Sequence, residues 1–168
     1  MSIAESLVPE FDYEIGVTRK FLTLVPESQK DWAPHPKSQT LGRLAAHVAE
    51  IPGWLTTTVT QDSLDFSASE PGAKSPFVTF TTTNELVTAF DAAAKKARAD
   101  LMATSDEKMF QEWELLNAGH SIFKMPRVAV LSSFIMKHLV HHRAQLGVYF
   151  RLLDVPVPSS YGPSADQQ

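Results

Sequence analysis

Residues 126–153, PRVAVLSSFIMKHLVHHRAQLGVYFRLL, constrain the fold more than any other stretch. The run is long enough for about seven helical turns. Pro126 suits a first helical position, where its missing N–H has no partner to lose. Leu131, Ile135, His138, His142, Gln145 and Tyr149 recur at steps of four and three and so share one face. Two histidines therefore fall inside the stripe that faces the interior. At i and i+4 their imidazoles stack one turn apart and can converge on one ion.

The other segments supply partners for that helix. Residues 2–25 read as a first helix, with Ile3, Leu7, Phe11, Ile15, Thr18, Leu22 and Val25 on its face. Pro9 marks an early break or a late start. Glu14 and Arg19 read as a solvated edge. The proline-rich connection that follows places Trp32 against the helix ends and leaves His35 on the surface. Residues 40–60 read as a second helix, capped by Thr40 or Ser38. Leu44, His47, Ile51 and Trp54 or Leu55 keep the three-four spacing, so His47 also points inward. Pro52-Gly53 should kink or end this helix.

Residues 61–81 hold turn formers without a helical period and read as a loop. Thr82 to Glu85 has the form of a capping box, and a third helix follows over 83–104 with Leu86, Phe90, Ala93, Ala97 and Leu101 as its stripe. Lys95, Lys96 and Arg98 form its solvated face. Two short runs about Asn117-Ala118-Gly119 predict a hairpin that leans on the helices through Trp113, Leu115, Ile122 or Phe123, with His120 exposed beside the turn. Residues 154–168 carry too many prolines for a helix and read as an extended or disordered tail. The sum is one domain over 1–168: an all-α four-helix bundle with a small hairpin excursion before the last helix.

Composition narrows the chemistry. A net charge of −4 argues against a protein that binds nucleic acid by neutralising phosphates. The chain has no cysteine, so any thiol must come from outside it. The acidic N-terminus has no secretory pattern, and no apolar run reaches membrane-spanning length. A cytoplasmic protein is the default expectation.

One histidine on the second helix and a pair on the fourth form a three-imidazole set if those helices are neighbours. Alone, His47 reads as a hydrogen-bonded core residue; the other two inward histidines change that weighing. His47, His138 and His142 suit a borderline divalent metal and leave at least one position for water or a substrate. His141 lies about 100° around the helix from His142 and faces elsewhere. Arg143 is also off the stripe, open to a salt bridge or an anion. Gln145 is either a donor behind the ligands or a satisfied buried amide. Glu50 reads first as a surface glutamate; orienting an imidazole or acting as a base is the alternative.

At LGRLAAHVAEIPGW (41–54) and HLVHHRAQLGVYFRLLDVPVPSSYGPSAD (138–166) the chain resembles the DinB-like superfamily, sometimes described with the metal-dependent thiol transferases. Helix order, hairpin and length agree over nearly the whole chain. The resemblance implies an up-down-down-up bundle, a homodimer packed through helices, and a nickel or zinc ion on residues matching His47, His138 and His142. Members of known activity use low-molecular-weight thiols, as in glutathione-, mycothiol- or bacillithiol-dependent transferases and maleylpyruvate isomerase. The expected function is attack on a small electrophile by such a thiol or by water. The alternative is a non-catalytic, stress-induced protein that binds a metal or a ligand.

Overall fold

A computed structural model describes residues 1–67 and 79–166. Helix α1 (Ile3–Leu22) opens with a capping box between Ser2 and Glu5. It buries Ala4, Val8, Phe11, Glu14, Val17, Thr18, Phe21 and Leu22. Pro9 neither breaks nor delays the helix. It lies on the exposed side, where water can satisfy the carbonyl freed by its missing N–H. After a 3-10 turn (Glu27–Gln29), Thr40 caps α2 (Leu41–Thr60) by accepting from the Arg43 N–H. Pro52 does not end this helix. Ile51, Leu55, Thr58 and Val59 are buried on both sides of it, and that packing carries the helix through.

The stretch expected to be a loop contains a short strand, β1 (Ser63–Asp65); residues 68–78 of it lie outside the described residues. Thr82 then caps α3 (Thr83–Met102), and Ser105 caps a short α4 (Asp106–Phe110) that sequence spacing did not separate. Strands β2 (Glu112–Asn117) and β3 (His120–Pro126) form the predicted hairpin. Its two-residue loop has φ of 51° at Ala118 and 75° at Gly119, the positive pair that favours a right-twisted hairpin. The Asp65 carboxylate accepts from the N–H groups of Ala118 (3.1 Å) and Gly119 (2.7 Å), so β1 closes the loop. β1 pairs parallel to β2, and the sheet order is β1-β2-β3. The protein is therefore mostly helical with a small three-stranded sheet, one strand more than the expected hairpin.

Pro126 ends β3 and caps the last helical run instead of occupying its first turn. That run comprises α5 (Arg127–Ala129), a π-helical segment (Val130–Met136) and α6 (Lys137–Leu152). α1 and α2 each pack against both α3 and α6. Among the described residues no helix is long and apolar enough to cross a membrane.

Two buried guanidiniums lock the helical run in place. Arg127 is fully buried and donates to the carbonyls of Thr58, Gln61, Gln111 and Glu112, and it pairs with Asp62 at 2.6 Å. It fastens the end of α2 to the hairpin. Arg143 pairs with Glu14 at 2.5 Å and also meets the hydroxyls of Thr18 and Tyr161. Glu14 is thus a buried ion-pair partner and not a solvated edge; Arg19 is exposed and pairs with Asp91. Tyr161 donates to Glu14 at 2.7 Å and stacks on Tyr13, so the described tail is strapped down over α1. Trp32 meets the Tyr149 ring edge-on at 5.6 Å, as its expected packing requires.

Removing one member of the Glu14–Arg143 pair leaves a buried charge without its counterion. Glu14→Ala should lower unfolding free energy by about 3–5 kcal/mol. The double variant Glu14→Leu/Arg143→Met should recover most of that loss, because no charge is then stranded. Urea unfolding of the three proteins checks both outcomes.

Candidate metal centre

α2 delivers His47, which is 8% exposed. α6 delivers His138 and His142, each half-buried and one turn apart. The π-helical segment ends directly before Lys137, so the histidine-bearing turn begins where the wider helix tightens. Nε2 of His47 lies 3.1 Å from Nε2 of His138. The ring centroid of His142 is 4.6 Å from that of His47 and 4.5 Å from that of His138. One nitrogen from each of the three rings lies within 4.8 Å of the others.

The three imidazoles are a suitable donor type for a divalent ion, and one pair of them already stands at bridging distance. Two nitrogens each about 2.0–2.1 Å from one zinc are separated by about 2.9 Å at a right angle and about 3.4 Å at the tetrahedral angle. The 3.1 Å between His47 and His138 falls in that interval. The outward nitrogens are also held. Nδ1 of His47 is 3.3 Å from a Glu50 carboxylate oxygen, and Arg43 donates to the other oxygen at 3.0 Å. Nδ1 of His142 is 2.7 Å from the Gln145 amide oxygen. A proton on Nδ1 satisfies both contacts and leaves each Nε2 lone pair aimed at the cluster.

Burial disfavours the charged form of the two imidazoles on α6. Desolvation, with repulsion from His142, His47 and His141, pushes His138 down to about 4. Desolvation lowers His142 as well, against the opposing hydrogen bond from Gln145. Trp54 supplies part of the cover. Its ring lies 5.4 Å from His47 and 5.1 Å from His138, both edge-on, and it stacks on Phe134. On the open side an indentation of about 430 Å³ is bounded by Ser133, Phe134, Lys137, His138, His141 and His142.

Sequence spacing identified the three histidines; it misread some of their supports. Glu50 is buried, 7% exposed, and not a surface glutamate, because Arg43 and His47 both engage it. Gln145 is exposed, not a buried amide, and its oxygen accepts instead of its nitrogen donating. His141 is exposed as its angular position requires, yet it touches His142 and lines the indentation. His35 and His120 are exposed and outside the cluster. Arg43, Trp54 and Phe134 were not foreseen as neighbours of the site. Arg43 could have been found from its seven-residue step to Glu50, two turns along the same helix.

In the metal-free folded protein His138 takes up its proton near pH 4, whereas an unfolded histidine does so near 6.5. Between those values the unfolded chain binds more protons, so stability rises with pH there and falls as the solution is acidified. Metal-free protein should lose stability from about pH 6.5 to about 4, and His138→Gln should flatten that slope. Thermal melts across the interval measure it.

No curated protein matches the chain. A DinB-like protein from Bacillus cereus ATCC 10987 has a similar structure, with a TM-score of 0.70 at 23% identity, over 94% of this chain and 97% of its own. A DinB-like protein from Bacillus subtilis gives a TM-score of 0.68 at 19% identity, over 97% of this chain and 98% of its own. At these identities the likeness concerns the fold. The sequence profile of the DinB family matches residues 2–168, and the chain belongs to the DinB family.

Proposed function

We propose that this chain binds one divalent ion, zinc or nickel, through His47, His138 and His142, and promotes attack on a small electrophile by a low-molecular-weight thiol or water. The observation that carries this reading is the approach of three imidazoles, from two helices, to within 4.8 Å. Three protein ligands leave a coordination position open, and the indentation beside His138 and His142 supports access to it. When bound, the ion supplies the positive charge that lowers the pKa of a thiol or water held there. The chain's own residues orient and shield. Glu50 and Gln145 hold the two Nδ1–H groups, and Arg43 keeps Glu50 in place. Trp54 and Phe134 keep water from one side of the rings. With no cysteine in the chain, the thiol is an external one, of the kind kept reduced in the cytoplasm.

The same reading takes 1–168 as a single domain whose four long helical runs form an up-down-down-up bundle; the contacts of α1 and α2 with both α3 and α6 support it. It also takes the chain as a homodimer packed through helices. Val148 and Leu152, one turn apart on α6 and 59% and 57% exposed, support that face.

Zinc or nickel at a hundred times its Kd should stabilise the fold by about 2.7 kcal/mol, a Tm rise of roughly 5–10 °C for a chain of this size. Alanine at His47, His138 or His142 should abolish the rise. A conjugation panel of external thiols with bromobimane should run faster with metal-loaded protein than with His142→Ala. Full activity in metal-free protein sinks the mechanism, and metal uptake without any conjugation or hydrolysis leaves a non-catalytic binder. Light scattering should give a dimer that Val148→Glu converts to a monomer.

A further inference from the structure

Residues 115–153 contain no aspartate or glutamate, in a chain whose net charge is −4. Five lysines and arginines lie in that stretch: Lys124, Arg127, Lys137, Arg143 and Arg151. Four of them reach carboxylates elsewhere in the chain: Glu112, Asp62, Glu14 and Asp166 respectively. Lys137 has no carboxylate partner among the described residues. Its own helix offers none, because the positions three and four away are Ser133, Phe134, Val140 and His141.

This unpaired cation stands at the histidine cluster. Lys137 and His141 are one turn apart on α6 and form a ridge beside the ridge of His138 and His142. Both ridges bound the 430 Å³ indentation, and none of its six lining residues is acidic. Ser133 and Phe134 close its other end, and Phe134 is stacked on Trp54 (6.0 Å, 14°). An anion entering here meets an ammonium with three donors and an imidazole N–H, with no carboxylate on the lining to repel it. An apolar or planar body attached to that anion meets Phe134.

We propose that this indentation is a carboxylate subsite, in which Lys137 and His141 hold the acid group of one reactant while its reacting atom faces His138 and His142. The proposal rests on the functional reading above and deepens it by naming the substrate class: a small carboxylic acid with an apolar or unsaturated body. Either the thiol or the electrophile can carry that acid, and the two sources separate in the test.

The probes are two matched pairs: 3-mercaptopropionate with 2-mercaptoethanol, and crotonate with crotonamide. Binding is read from amide shifts of residues 133–142 by NMR, in metal-free and zinc-loaded full-length protein. At about 0.15 M salt the charged member of at least one pair should bind about threefold to tenfold tighter than its neutral partner. The pair that shows the preference identifies the reactant that brings the acid. Lys137→Ala should erase the preference and still take up zinc, while Lys137→Arg should keep it. Equal affinity within both pairs overturns the subsite, as does a preference that survives Lys137→Ala. Failure to take up zinc overturns the metal reading alone, because the metal-free comparison then decides the subsite by the same criteria.

Discussion

Three imidazoles in ring contact can share a partly buried space while they are neutral or while they share a cation. Two protonated rings there would repel across about 4–5 Å in a medium less polar than water. That constraint organises the rest of the site. Trp54 and Phe134 withdraw water from His138 and disfavour its charged form. Glu50 and Gln145 engage the outward nitrogens, so the lone pairs that remain face inward. The features that disfavour protonation of His138 and His142 also suit those rings to hold a divalent ion.

The cluster depends on holding α2 and α6 in register. α6 meets this demand with two faces. His138 and His142 face α2, while Arg143, one residue on, is buried against Glu14 and Thr18 of α1. Arg127 performs a similar task at the start of the run, where carbonyls from the end of α2 and from the hairpin entrance converge on its guanidinium. Each arginine is buried with a carboxylate partner and further oxygen acceptors, the condition under which a buried charge is tolerable. The π-helical segment lies between them and ends directly before the turn that carries His138.

Much of this was legible in residue spacing. The helical segments, the hairpin and its turn, and the inward direction of all three histidines follow from local periodicity and turn chemistry. The misreadings have a common cause. Glu14 looked solvated because its counterion lies 129 positions away. β1 was invisible because three residues have too little alternation, and its partner strand lies some fifty residues on. Pro9 and Pro52 looked like breaks because propensity is a local quantity, and burial of the flanking turns outweighs it.

The chain's order of residues by itself determined which side chains share a helix face, and so which imidazoles can act together. It also left residues 115–153 without an acid. Only the tertiary structure decided that His47 meets His138, that four of five cations in that stretch find carboxylates, and that Lys137 is left at the rim. Face sharing is set by the 3.6-residue period of one helix. Meeting across helices is set by packing between segments some ninety residues apart, about which a local period carries no information.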